Sequence, residues 1–538
     1  MRNITSECPH DEFCGGCIYQ GLEYRKQLEI KEGEVHSLFS KEGISPDIFD
    51  RIEGCPEELI YEYRNKMEFT FGDMVKDGPL CLGMHRRGRF MSIVTVDQCQ
   101  LVDEDFNKIL FYTLSFCIEK GYKKYHKKNH TGLLRNLIIR QGKRTKELLV
   151  NIVTSTDTEF DRNGWAEGLK DLRLNNEIVG IMQTLNDNKA DAVICDELIL
   201  IDGRDYYYEE ILGLRFQVHE FAFFQTNVEA IERLYHDAIG LIDDDAIGLI
   251  DDLEGKEVFD LYCGTGTISQ VMALRAKHVL GVEIVPESVE SAVKNAKLNN
   301  LSNCDFVCGD VFQILEKTDL KPEKINMKSE KINPKADNIN PESKKTDFRL
   351  EKRGLKPDVI VVDPPRVGMS TDAVNKIASY GVKQIVYISC NPKTLVKNLV
   401  QFENLGYEVK YVKPYDNFPF TKHVETVVLL SHKKPDSQIN VKVEFGDENG
   451  KFPIESIAEK AEEYKPKEKV TYKMIQSYIK EKYNLKMHTA YIAEVKRNSG
   501  MKMQMEVKSE GTSQDRKSHP SKEKVEIIKD ALSHFNLI

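Results

Sequence analysis

The stretch VFDLYCGTG, from Val258 to Gly266, followed by TISQVMALR, decides how this chain folds. Apolar residues around Asp260 make a short strand, Gly264 and Gly266 break it, and a helix-length run follows. Strand, glycine turn and helix in that order bring a backbone without side chains close to a nucleotide-like ligand. A lone G-x-G is weak by itself. Ser269 stands where a dinucleotide loop carries its third glycine, which speaks against NAD, and Glu283 closes the next strand, HVLGVE. A carboxylate there can accept both hydroxyls of a ribose.

The alternation extends outward from this unit. DVIVVD, QIVYIS and ETVVLL are buried-strand runs, and PESVESAVKNAKLNN has helical length, so residues 211–433 read as an α/β domain. Upstream, KMEFTFGD, GRFMSIVTVD, LRNLIIRQ and KELLVNIVT predict a mostly β middle domain over 54–210. Residues 1–53 hold a cysteine cluster and a charged helical stretch, LEYRKQLEIKEGEVHSLF. Residues 434–538 predict a small helical appendage from TYKMIQSYIKEKY, TAYIAEVKRNSG and KEKVEIIKDALSHF. A Lys/Asn/Glu-rich tract at about 317–356 has too few large apolar residues for a core and reads as a disordered insert. The octapeptide DAIGLIDD occurs twice in tandem, at 237–244 and 245–252, and reads as a lengthened helix end or loop.

With 538 residues, 41% hydrophobic and 30% charged, the chain has the composition of a globular protein. Its apolar runs fall short of the ~18 residues of a membrane span, and its polar start is unlike a secretory leader. A cytoplasmic location is expected, with no membrane and no obligate protein partner. In a reducing compartment the 12 cysteines are candidates for metal or catalytic duty rather than disulfides. The net charge of -10 disfavours a nucleic-acid partner on average, but Tyr122 to Lys146 holds nine Lys or Arg and no acid, and HRRGR occupies 85–89. Tyr122, Tyr125, His126 and His130 interleave that run and are candidates for base stacking.

Two further strands end in reactive loops, IVVDPPR at 360–366 and IVYISCNP at 385–392. Ligands in open α/β sheets bind beyond the carboxyl ends of strands, so Asp363, Arg366 and Cys390 are expected to share one crevice with the glycine loop. A cysteine after an apolar run is often just a small buried hydrophobe. A thiol at a strand end over a cofactor pocket is better placed for nucleophilic attack. At the N-terminus, Cys8, Cys14 and Cys17 with the distant Cys99 suit a four-thiolate site for zinc or an iron-sulfur cluster.

Taken together, FFQTN (223–227), DLYCGTG, DPPR, SCNP and HVET (423–426) resemble the RNA uracil-5-methyltransferases that modify ribosomal or transfer RNA. YRNKMEF, RRGRF and LRNLIIRQGKRT are similar to that family's middle domain, so the resemblance covers about residues 8–432. It implies a Rossmann-like class I methyltransferase domain, S-adenosyl-L-methionine as methyl donor, and RNA as partner, with 23S rRNA the expected substrate and tRNA the alternative. Cys390 is then the nucleophile and Glu425 the base. Gly264 lies in the cofactor loop, while Gln225, Tyr262, Glu283, Asp310 and Asp363 fall where members contact the cofactor or the target base. The cysteine pattern is similar to that of members holding a [4Fe-4S] cluster. The start seven residues before Cys8 leaves no room for the small N-terminal β-barrel of many members. Two rivals remain at this stage. A DNA cytosine-5 methyltransferase would carry an early Pro-Cys nucleophile, and a non-catalytic iron-sulfur RNA-binding protein would leave Cys390 or Glu425 remote from the pocket.

Overall fold

The computed structural model describes residues 8–190, 193–243, 253–318 and 356–433, and then 472–483, 485, 487, 489–498 and 522–535. Almost all of the 317–356 tract and the second DAIGLIDD copy lie outside the described residues. The chain divides into two compact units, Met1–Asp436 and Ser437–Ile538.

In the first unit a cysteine loop precedes helix α1 (Tyr24–Lys41), which buries Val35 and Phe39. The middle region is a seven-stranded sheet of β1 (Lys66–Asp73), β2 (Leu80–Arg86), β3 (Arg89–Thr95), β4 (Leu134–Gly142), β5 (Glu147–Thr154), β6 (Glu177–Leu185) and β7 (Glu197–Gly203). Its order is β3-β2-β1-β4-β5-β6-β7, antiparallel except where β5 meets β6. The middle region is less purely β than its sequence suggests. Helices α2 (Glu104–Glu119) and α3 (Arg162–Lys170) cover one face of the sheet, packing Phe106, Ile109, Leu110, Trp165 and Leu169 against Leu137, Ile139 and Val150. The helical spacing of Phe106, Ile109, Leu110 and Thr113 was there to be read, and the strand signals on either side masked it.

A hairpin of β8 (Tyr206–Ile211) and β9 (Leu214–His219) follows, then α4 (Val228–Asp243), which the first DAIGLIDD copy ends. The boundary expected at 210 therefore cuts β8. Tyr207, Phe216 and Val218 of this hairpin share one core with Leu149 and Met182 of the middle sheet and with Ala292 and Ala296 farther on, which makes the two regions continuous.

The second sheet is built from β10 (Glu257–Leu261), α5 (Thr267–Ala273), β11 (His278–Glu283), α6 (Pro286–Leu298), β12 (Cys304–Cys308), α7 (Val311–Thr318), β13 (Val359–Val362), α8 (Thr371–Ser379), β14 (Gln384–Ser389), α9 (Pro392–Asn404), β15 (Tyr407–Tyr415) and β16 (Glu425–His432). Strand order is β12-β11-β10-β13-β14-β16-β15; the first five are parallel and β16 runs antiparallel between β14 and β15. Strands buried on both faces read as continuous apolar runs, which is why VIVV and QIVYIS were legible. Helices α4, α5 and α6 cover one face, while α7, α8, α9 and α1 cover the other.

The second unit contains α10 (Tyr472–Tyr483), α11 (Thr489–Asn498) and α12 (Lys522–His534), packed through Ile475, Ile479, Ile492, Val495, Ile528 and Leu532. Among the described residues no helix is long and apolar enough to cross a membrane.

Candidate active site and cysteine pocket

The glycine loop leaves β10 through Tyr262, a non-glycine residue at φ 67°, and turns at Gly264 (φ 55°) and Gly266 (φ 75°) into α5. A Cβ on Gly266 would stand 2.6 Å from the Phe306 ring, so the turn closes only with glycine there. Around Gly264 nothing lies within 4 Å of such a Cβ, which leaves open space over the loop. Gly264 N–H donates to Glu283 Oε2 at 3.0 Å, and the amides of Ile284 and Val285 donate to Oε1 at 2.8 and 2.9 Å. These bonds aim the Glu283 carboxylate, fill both lone-pair sites of Oε1 and leave one free on Oε2. Asp310 accepts from the Gln313 amide at the start of α7, and its charge adds to the burial that pushes the Tyr262 phenol up to about 12. Beneath the loop, Asp260 is fully buried, accepts from Ser269 Oγ and is pushed up to about 7 by desolvation. Cys263 is buried against β11 and its thiol is driven well above its ordinary value, which makes it a packing residue.

The reactive residues gather at the same end of the sheet. Asp363 follows β13 and Cys390 follows β14; because β16 is antiparallel, its first residue, Glu425, begins at that end too, with Ser389 paired to Thr426. Burial, then the charges of Glu425 and Asp363, push the Cys390 thiol up to about 11, against the pull of the Arg366 guanidinium, which also hydrogen-bonds it. Burial raises the Glu425 carboxyl to about 7, again opposed by Arg366. Asp363 stands well above the carboxylate range through burial, then through Glu425 and Asp260. The sequence motifs explain how these groups are held. Asn391 caps α9, accepting from the Lys393 amide, and donates at 2.8 Å to the Arg366 carbonyl, so SCNP and DPPR form one corner.

Two residues of this site escaped the sequence reading. Tyr235 of α4 is fully buried, hydrogen-bonds Gln225 and lies within electrostatic reach of Asp363, Asp260 and Glu425. Asn65, in YRNKMEF, donates from Nδ2 to the Gln225 carbonyl at 3.0 Å and from its amide to the Thr226 carbonyl at 3.0 Å, which ties the middle sheet to FFQTN. Their only signal was membership of a recognised motif or its flank.

A family model described as tRNA (uracil-5-)-methyltransferase matches residues 166–433. A Clostridium tetani protein described as an uncharacterized RNA methyltransferase is 43% identical over 433 residues, covering 80% of this chain and 84% of its own. The chain belongs to the RNA uracil-5-methyltransferase family. A similarly described protein of Clostridium acetobutylicum is 42% identical, with 79% of this chain and 84% of its own covered. Among solved structures, the S-adenosyl-L-homocysteine complex of Pyrococcus abyssi tRNA (uracil-54, C5)-methyltransferase shares the fold at TM-score 0.56 and 23% identity, over 78% of this chain and 86% of that one. This family member is therefore an S-adenosylmethionine-dependent RNA methyltransferase.

Cys8, Cys14, Cys17 and Cys99 line one cavity, together with Arg64, Met67, Met84 and Leu101. Burial raises all four thiols, Cys99 to about 12, and neighbouring thiols raise Cys14, Cys17 and Cys99 further. Asn107 of α2 brackets Cys99 with bonds to its amide and carbonyl of 2.9 and 3.1 Å. The cysteine loop pairs with the end of β2: Gly15 N–H donates to the His85 carbonyl at 2.9 Å, and Arg87 Nη2 donates to Asp11 at 2.8 Å and to the Cys17 carbonyl at 3.0 Å. Among the described residues no three His, Cys, Asp or Glu side chains converge as a single-ion site. Four thiols around one cavity are a donor set that either zinc or an iron-sulfur cluster can take.

Five of the nine cations in the basic run, Lys124, Arg135, Arg140, Lys143 and Arg144, are engaged within the protein. Arg135 donates to the carbonyls of Asn186, Asn188 and Ala190, and Arg140 to those of His219, Glu220 and Ala222. Lys124 pairs with Asp73, Arg144 with Glu229 and Glu232, and Lys143 bonds the Glu62 carbonyl. Tyr122 accepts from the Asp161 amide, and Tyr125 lies under Arg135, so neither ring is a free platform. One exposed aromatic beside the run is Phe90 (63% exposed), near the tip of the β2–β3 hairpin, stacked on His85 and approached by Lys127 at 5.0 Å. Lys123, Lys128 and Arg89 are exposed nearby in sequence.

Proposed function

We propose that this enzyme methylates C5 of a uridine in RNA, with Cys390 as nucleophile and Glu425 as base. The observation that carries the reading is the convergence of Cys390, Glu425, Asp363 and Arg366 at the glycine-loop end of the second sheet, where Arg366 hydrogen-bonds Cys390 and the carboxylates act on the thiol. S-adenosylmethionine, when bound, supplies an electrophilic methyl group. Gly264 would give it backbone access, Glu283 would take the ribose hydroxyls, and Tyr262, Asp310, Gln225 and Asp363 would hold the rest of the cofactor and the base. Uracil C5 is a poor nucleophile until a thiolate adds at C6 and makes an enolate. Cys390 supplies that addition, and Arg366 stabilises the thiolate against the carboxylates beside it. After C5 has taken the methyl group it still carries its proton. Glu425 removes that proton, the electron pair reforms the C5–C6 double bond, and the Cys390 thiolate leaves.

Cys8, Cys14, Cys17 and Cys99 are proposed to hold a [4Fe-4S] cluster, which would fasten the N-terminal segment to the middle sheet. The layout proposed is 1–53 for the cluster segment, a middle region through β7 for RNA binding, a catalytic region from the β8–β9 hairpin to 433, and 434–538 as an appendage. Ribosomal RNA, specifically 23S, is the assigned substrate, on the likeness of the cysteine pattern to cluster-bearing members. Transfer RNA is the second reading, favoured by the description of the matching family model. Labelled methyl transfer to purified rRNA, tRNA and DNA, with 5-methyluridine mapping in cells lacking the gene, tests both. A missing 5-methyluridine in 23S rRNA supports the assignment, one in tRNA alone moves it to the second reading, and none in either overturns it.

A further inference from the structure

The connection from β15 to β16, residues 416–424, delivers Glu425 to the pocket, and its mainchain is held from behind by the N-terminal segment. Phe420 is the centre of that attachment. It sits at φ 66°, a conformation a bulky residue adopts only where its surroundings impose it, and its ring is buried. The amides of Ile18 and Tyr19, directly after Cys17, both donate to its carbonyl, at 2.9 and 3.1 Å. Gln27 of α1 accepts from its amide at 2.9 Å. Its ring stacks on Tyr61, with centroids 5.0 Å apart, and joins Tyr63 and Leu101 in a small apolar cluster against which Cys17 and Cys99 pack. On the near side of Phe420, Lys31 Nζ donates to Asp416 at 2.6 Å and to the Phe418 carbonyl at 3.1 Å. On the far side Thr421 accepts from the His423 amide, two residues before Glu425.

We propose that Phe420 is a positioning residue that ties the four-cysteine pocket to Glu425. With Cys17 anchored in the pocket, Ile18 and Tyr19 fix Phe420, and the loop presents the Glu425 carboxylate to the C5 proton. When the pocket is emptied, Cys17 and the two amides after it are released, the loop relaxes, and proton removal slows while thiol addition at Cys390, on a different strand, continues. The inference rests on the roles proposed for Cys390 and Glu425 and on the cysteine pocket holding a cluster.

Two RNA probes separate the steps: in vitro transcribed 23S rRNA and tRNA containing 5-fluorouridine, on which no C5 proton exists, and the same transcripts with ordinary uridine. Trapping on fluorinated RNA reports addition and methyl transfer; the ratio of adduct to released product on ordinary RNA reports proton removal. Phe420→Gly keeps the backbone conformation and removes the ring. It should trap fluorinated RNA within about 2-fold of wild type yet release product about 10-fold more slowly with adduct accumulating, a fraction of what a general base contributes. Phe420→Leu should restore release. Amide exchange at Ile18 and Tyr19 should rise about 10-fold in Phe420→Gly and in iron-stripped wild type, because both open the same local structure. Should Phe420→Gly not fold, Gln27→Met, which removes the acceptor for the Phe420 amide, carries the same expectation. Equal loss on both probes, or exchange unmoved by iron removal, overturns the proposal. Glu425→Gln separates the two readings: if it accumulates adduct and the Phe420 and Gln27 variants do not, this inference alone fails; if it accumulates none, the base assignment fails and this inference falls with it.

Discussion

Glu425→Gln should stabilise the protein without ligands, and the gain should depend on pH. Burial holds the carboxyl near 7 in the folded protein, against an ordinary value of 4.5. The sign follows from the proton. Below about pH 4.5 the group is protonated in both states; above that the unfolded chain ionises it first, and stability falls with rising pH until the folded group has also ionised, past about 7. At about 1.36 kcal/mol per pK unit, the wild type carries about 3 kcal/mol of destabilisation at pH 8 and under about 1 kcal/mol at pH 5. Glutamine has no charge to desolvate. Removing the charge also relieves Asp363, which Glu425 pushes up, so the gain is not smaller on that account. With about 2.1 cal/mol/K of unfolding entropy per residue over the 436-residue first unit, 3 kcal/mol raises Tm by about 3 °C. Scanning calorimetry of both proteins at pH 5 and pH 8 measures it. A Glu425→Gln protein no more stable at pH 8, or equally stabilised at both pH values, refutes the reasoning that burial holds a strained base in this pocket.

Three further outcomes are expected. Protein purified without oxygen should be brown and carry about four iron atoms per chain; stoichiometric zinc without iron would sink the cluster assignment. Replacing Arg89, Lys123 and Lys128 by Ser should weaken RNA binding and flatten the dependence of log affinity on log salt by about 2, at ~0.7 per lost phosphate contact on single strands. Lys124 is left out because Asp73 already neutralises it, and an unchanged slope would make these residues a solvated face. Deleting residues 434–538 should leave methyl transfer intact, since every proposed site residue precedes it; lost turnover with the first unit still folded contradicts this.

The α/β sheet was legible because strands buried on both faces announce themselves as apolar runs, and the crevice because such strands end where ligands bind. Cys390, Asp363 and Glu425 meet through that rule and through the antiparallel β16. The basic run shows where it stops. Nine cations between Tyr122 and Lys146 say nothing of the carboxylates and carbonyls that fold beside them, and Asp73, Glu229, Glu232 and the carbonyls from Asn186 and His219 onward come from distant segments. Tyr235 was invisible for the same reason, being an ordinary residue of an amphipathic helix until α4 packs against β14 and β16. Phe420 gave no sign that its carbonyl would be held by the residues following Cys17.

The central claim is that Cys390 and Glu425 act at opposite ends of one covalent cycle, so they should fail in different ways. The decisive measurement is denaturing electrophoresis with peptide mass spectrometry after incubating each variant with substrate RNA and S-adenosylmethionine. Glu425→Gln should accumulate a slow-migrating adduct in which Cys390 carries a methylated uridine, and Cys390→Ala and the double variant should show none. An adduct persisting without Cys390, or full turnover in either single variant, would contradict the account.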